Sequence, residues 1–207
     1  MTILLSDERV SAIPVVESGD PMVRLPRSLG PARALVRAGL AERLRSAQAD
    51  LPAGRFLRVV EGHRSVADQA AIVARYEAEV RVAHPGLPAA EVRRLTSRFV
   101  SPVAVAPHVA GAAVDLTLVD RHGRELDLGT PIDATPEQSA GRCYFDAPDI
   151  TPEARRHREV LARALGTAGL VNYPTEWWHW SFGDRYWALL TGARAALYGP
   201  VEQRVAA

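Results

Sequence analysis

Between Pro31 and Ala49 the apolar positions recur at helical spacing. Val36, Leu40, Leu44 and Ala47 share one face, while Arg37, Arg43 and Arg45 point elsewhere. Pro31 suits a first helical turn and Pro52 lies just past the end, so the pattern predicts a helix over 31–49. Arg55–Val60 (RFLRVV) reads as a strand closed by a turn at Glu61–Gly62. Ser65-Val66-Ala67-Asp68 is a capping signal for a helix that turns Ile72, Tyr76 and Val80 inward. His84–Pro88 (HPGLP) breaks that helix, and a short one over about Glu91–Phe99 is predicted next. In the second half, Val114–Val119 alternates as a strand does, Arg121–Gly123 reads as a turn, and Leu126–Ala147 is loop-rich. Thr151-Pro152-Glu153 opens a helix through Leu161, Ala164, Leu165 and Ala168 that ends near Gly169. A strand through Trp178–Phe182 and a helix from Asp184 to about Leu197 complete the pattern. The first 30 residues carry no sustained periodicity and predict an irregular arm with a short strand near Ala12–Val16. Helices and strands do not alternate strictly, which predicts an α+β fold of helices packed on a small, mainly antiparallel sheet.

Composition narrows the function classes. The 207 residues suit a single domain, 1–207, with 24% charged and 47% apolar residues. Twenty-five basic against 24 acidic residues leave a charge of +1, which argues against nucleic-acid and anionic-membrane partners. Every basic residue is arginine, a bias that goes with the abundance of alanine and carries no functional weight. The single cysteine, Cys143, excludes an internal disulfide and an all-cysteine metal site. The opening MTILLSDERV lacks the basic region and the apolar stretch of a secretory signal, which predicts a cytoplasmic location.

Two segments hold most of the unusual polar residues. One is His108–Asp115, H-x-x-G-x-A-x-D; the other is Glu176-Trp177-Trp178-His179-Trp180. Two imidazoles and one carboxylate, His108, Asp115 and His179, form a common ligand set for a catalytic zinc with one position open to water. Gly111 and the small residues around it allow a tight path between His108 and Asp115. Glu176 is a second carboxylate three residues from His179, suited to act as general base. The arrangement is not H-E-x-x-H, so the common helical zinc-protease motif is absent. Trp178 and Trp180 are predicted to pack on the face opposite His179.

These two motifs in this order, with Val114–Asp133 (VDLTLVDRHGRELDLGTPID), resemble the D-alanyl-D-alanine dipeptidases of the VanX type, over about Leu57–Gly199. That family of zinc peptidases is related to D,D-carboxypeptidases and to the Hedgehog signalling domain. The resemblance implies one zinc per chain held by His108, Asp115 and His179, with Glu176 as catalytic base. It implies an oxyanion-stabilising role for Arg64 and contact of Asp133 with the ammonium group of a small dipeptide substrate. The chain departs from the pattern at Ala106, where the family usually has serine, at Ser65, where proline commonly follows the arginine, and at His63, usually an aromatic residue. The alternatives are a carboxypeptidase or biosynthetic relative acting on a modified peptide, and a zinc-stabilised binding domain without activity.

Overall fold

The computed structural model describes residues 2–201. Among them are helices α1 (Glu8–Ala12), α2 (Ala38–Asp50), α3 (Val66–Ala83), α4 (Ala89–Thr96), α5 (Pro152–Thr167) and α6 (Arg185–Thr191). The strands are β1 (Met22–Arg24), β2 (Leu35–Arg37), β3 (Arg55–Glu61), β4 (Ala113–Asp120), β5 (Val171–Asn172) and β6 (His179–Ser181). The fold is α+β, and every strand pair is antiparallel.

Side-chain caps open four of the six described helices. Ser65 Oγ accepts from Asp68 N at 3.0 Å and opens α3, and Thr151 Oγ1 accepts from Ala154 N at 3.0 Å and opens α5 ahead of a first-turn proline. Asp184 caps α6 by accepting from Tyr186 N and Trp187 N. Leu40, Leu44 and Ala47 of α2 are fully buried against the helix α5 residues Leu161, Ala164 and Leu165 in the main core cluster. Truncating Leu44 to alanine there costs about 2–5 kcal/mol.

Four expectations need correction, and non-local pairing accounts for most of the difference. The predicted helix over 31–49 begins only at Ala38, because Leu35–Arg37 pairs with Met22–Arg24 and Arg37 N donates to Gly111 O. The arm over 1–30 is not irregular: it contains α1, capped by Asp7, then β1 and a 3-10 turn at Arg27–Leu29. The strand expected near Ala12–Val16 shrinks to one bridge between Val15 and Ala196. At the other end α6 stops at Thr191, where Gly192 takes φ 71°, and the chain returns beside the arm through Ala196 N to Pro14 O and Ser18 N to Leu197 O.

The four-stranded sheet has the order β3-β4-β6-β5. Its register puts Leu57 opposite Leu118, Val114 opposite Trp180 and Asp115 opposite His179. A bulge between Val59 and Glu61 shifts the pairing, so that Glu61 rather than Val60 lies opposite Asp115. The three adjoining strands therefore carry Glu61, Asp115 and His179 in one transverse row. A separate cluster of Tyr76, Val80, Val92 and Val100 packs α3 on α4. No helix among the described residues is long and apolar enough to cross a membrane.

Candidate metal centre

The row on the sheet supplies two donors and a tight turn supplies the third. Asp115 and His179 face each other across β4 and β6, with Asp115 Oδ1 3.1 Å from His179 Nδ1. His108 heads a 3-10 turn that Gly111 ends at φ 65°. The left-handed backbone at Gly111 is one that glycine adopts without strain, while the nearby Met22 thioether, 2.7 Å from where a Cβ would sit, could swing aside. His108 Nδ1 lies 2.7 Å from the Gly62 carbonyl, which can only accept. Nδ1 therefore carries the hydrogen, and in the neutral ring Nε2 presents its lone pair to the other donors.

The donor atoms form a nearly regular triangle, with edges of 3.1 Å (His108 Nε2 to His179 Nδ1), 3.4 Å (His108 Nε2 to Asp115 Oδ1) and 3.1 Å (His179 Nδ1 to Asp115 Oδ1). A tetrahedral site with ~2.0–2.1 Å zinc bonds has ligand–ligand edges of about 3.3 Å, so the triangle fits that ion. All three residues are buried. Burial alone would raise the Asp115 carboxyl, but the imidazoles of His108 and His179 hold it well below the carboxylate range. Burial lowers His179, while for His108 the pull of Asp115 outweighs burial and raises it. A buried donor set of one anion and two imidazoles is a match for a divalent cation.

Glu176 stands beside this triangle, its Oε2 3.8 Å from His179 Nδ1. The turn that places it is stapled by Asn172, whose Nδ2 donates to the carbonyls of Glu176 and His179, both at 2.9 Å. Burial, then the charges of Asp115 and Asp133, push the Glu176 carboxyl well above its usual range. A cation on the triad would bring it back down, since an opposite charge favours the ionised form.

Arg64 reaches the same cavity after the bulged strand. Its Nε donates to Glu61 Oε1 at 2.8 Å, Nη2 to Glu61 Oε2 at 2.5 Å, and Nη1 to Gln69 Oε1 at 2.9 Å. Among the described residues, one of the N–H groups on each terminal nitrogen of its guanidinium has no partner. Asp133 stands exposed at the mouth in a left-handed conformation, φ 63°. The cleft walls and the charges of Asp115 and Glu61 raise its carboxyl. Together with Ala106, all six predicted site residues line one cavity of about 420 Å³.

Other expectations fare unevenly. Trp177, Trp178 and Trp180 are all buried in the main core, and Trp178 also borders the cavity. His63 does not line it. Sequence reasoning missed Glu61 and Gln69, which aim Arg64, and Leu5, which the arm contributes to the cavity wall. A carboxylate three residues before Arg64 is the one available signal for Glu61; Gln69 and Leu5 carry none.

An α+β scaffold with a buried two-histidine, one-aspartate donor set and a carboxylate beside it has the make-up of a metal-dependent hydrolase. The chain belongs to the D-ala-D-ala dipeptidase family, peptidase family M15, which matches residues 28–192. A D-alanyl-D-alanine dipeptidase of Synechocystis sp. is 35% identical over 115 residues, 49% of this chain and 47% of that relative. One of Escherichia coli (strain K12) is 40% identical over 72 residues, 35% of each chain. The aligned region thus spans about half the length of the first curated relative and about a third of the second. Among solved structures, a mutant of the vancomycin-resistance D,D-pentapeptidase VanY in complex with Zn(II) aligns at TM-score 0.42 and 16% identity, over 89% of this chain and 90% of that one. VanYB in complex with D-alanine-D-alanine aligns at 0.49 and 15%, over 92% and 96%.

Proposed function

We propose that the chain is a cytoplasmic, single-domain zinc dipeptidase that hydrolyses a short D,D-dipeptide such as D-Ala-D-Ala. The observation that carries this reading is the convergence of His108, Asp115 and His179 within 4.8 Å, with Glu176 beside them. His108, Asp115 and His179 would hold the zinc ion, which when bound would supply Lewis acidity, enough to bring the pKa of a water towards ~7. Glu176 takes the proton of the attacking water on its carboxylate and delivers it to the departing amine. The two free N–H groups of Arg64, held on course by Glu61 and Gln69, receive the negative charge that develops on the scissile oxygen. Asp133, at the mouth, pairs with the substrate's free ammonium group.

Ala106 favours a second reading, a carboxypeptidase or biosynthetic relative acting on a modified peptide, because the wall there offers no hydroxyl to a dipeptide's amino end. The two are separated by measuring alanine release from D-Ala-D-Ala, L-Ala-L-Ala and N-acetyl-D-Ala-D-Ala, with zinc content determined on the same sample. Zinc-dependent cleavage of the free D,D-dipeptide in preference to the other two is expected. Faster cleavage of the acetylated peptide would overturn the dipeptidase reading in favour of the second.

A further inference from the structure

Arg158, in α5, is completely buried and makes no ion pair among the described residues. Its guanidinium instead donates to four backbone carbonyls: Nε to Leu128 (2.8 Å), Nη1 to Tyr144 (2.6 Å) and Phe145 (3.0 Å), and Nη2 to Arg142 (2.8 Å). Burial draws it down to about 10, which leaves it charged at neutral pH. A buried cation without a carboxylate in direct contact is an expensive way to fill a core, and apolar residues of similar volume commonly do as well or better. What the arrangement offers instead is geometric. The four carbonyls flank the two ends of segment 129–142, which carries Asp133.

The same guanidinium lies 5.7 Å from the ring centre of Trp177, the neighbour of Glu176. Trp177 Nε1 donates to Thr130 Oγ1 at 2.8 Å, and Trp177 N donates to Cys143 O at 3.0 Å. Gly129 presses on the clamp: a Cβ there would lie 3.1 Å from Arg158 Nη2 and 2.9 Å from Ile150 Cγ2. Asp133 itself makes no hydrogen bond among the described residues, and a groove of about 390 Å³ bordered by Pro131, Ala134, Ser139 and Arg142 runs beside it. Arg158 thus fixes the two ends of the segment, while in between Ile132 packs on the main core and Tyr76 Oη donates to Glu137 Oε2 at 3.0 Å.

We propose that Arg158 is a positioning residue: by clamping both ends of segment 129–142 against Trp177, it sets the separation between Asp133 and Glu176 and so the preference for a dipeptide with a free ammonium group. This rests on the role given to Asp133 above.

The test uses the full zinc-loaded chain and the variants Arg158→Lys, Arg158→Met, Asp133→Ala and the double variant Arg158→Lys/Asp133→Ala. kcat and KM are measured for D-Ala-D-Ala and its N-acetyl form, with amide hydrogen exchange followed over 129–142. In Arg158→Lys, KM for the free dipeptide should rise about tenfold, the scale of a charged hydrogen bond, while kcat and KM for the acetylated peptide hold. Exchange should quicken over 129–142 and not in β4, and the double variant should prefer the free amine no less than Asp133→Ala does. Should Arg158→Met fail to fold, Arg158→Lys decides. Faster exchange or a lower Tm with an unchanged free-amine preference would overturn the coupling and leave Asp133 untouched. An intact preference in Asp133→Ala would overturn the role of Asp133 and the coupling with it.

Discussion

The two halves of the cavity are built by different means. The reaction side stands on backbone: Glu61, Asp115 and His179 lie side by side because three strands are hydrogen-bonded in that register. The opposite side stands on side chains: segment 129–142 has no helix or strand of its own, and it is held by Arg158, which donates to the carbonyls at its two ends, Leu128 and Arg142, and by Tyr76, which donates to Glu137. A register is stiff and can slip only by whole residues, each slip turning every side chain to the other face. A tethered loop can shift by fractions of an ångström when one tether changes. Damage on the sheet side should therefore be all-or-none, and damage on the loop side graded and confined to substrate affinity.

The severest break lies in the metal ligands. His108→Ala, Asp115→Ala and His179→Ala should each lose zinc by metal analysis, and activity with it. A chelator should lower the Tm of the parent chain, since a ligand at a hundred times its Kd contributes ~2.7 kcal/mol and each kcal/mol moves a domain of this size by ~2–4 °C. The same chelator should leave the three variants unmoved. Full zinc content in all three would sink the ligand assignment. Next in size, Glu176→Gln should keep its zinc and lose ~10²–10⁴-fold in kcat, the range of general base catalysis. Loss of zinc in that variant would instead make Glu176 a ligand.

Smaller effects separate aiming from charge. Arg64→Lys retains the cation without the planar fork, and Glu61→Gln retains the fork without its anionic partner. Each should lower kcat about tenfold with zinc content unchanged, a charge-assisted bond being worth ~1.5–3 kcal/mol. On the loop side, Asp133→Ala should act on KM for the free dipeptide and spare the acetylated one. The mildest change, Ala106→Ser, should raise kcat/KM tenfold or less, as a neutral hydrogen bond worth ~0.5–1.5 kcal/mol allows. An Asp133→Ala variant that loses kcat and zinc rather than affinity would erase the distinction between the two halves.

Legibility in the sequence follows the same division. The capped helices α3 and α5 and the strand β4 were readable because their signals are local: Ser65 and Thr151 at the caps, alternation along Val114–Val119. His108, Asp115, His179 and Glu176 were readable because each pair lies within eight residues and only the distance between the pairs needed the fold. The strand at Leu35–Arg37 was hidden, since Val36 is buried in a helix and in a strand alike and the deciding partner, Met22–Arg24, is remote. Arg158 gave no signal among 25 arginines, because a buried and an exposed arginine differ only in what surrounds them.

The bulge at Val59–Glu61 makes strand length, rather than residue identity, the variable that matters in β3. Counting by parity, Leu57 and Val59 point into the core, and an unbroken count would bury Glu61 beside them. The one surplus residue, Val60, reverses the parity for everything that follows, and Arg64 inherits its heading from that reversal. An insertion or deletion elsewhere in the strand would send the glutamate into the core and swing the arginine away from the cavity. Removing Val60 alone would straighten the strand and leave Glu61 still opposite Asp115. Natural variation in this part of the chain should therefore come as a gain or loss of one residue at that point, with the motif on either side travelling as a rigid unit.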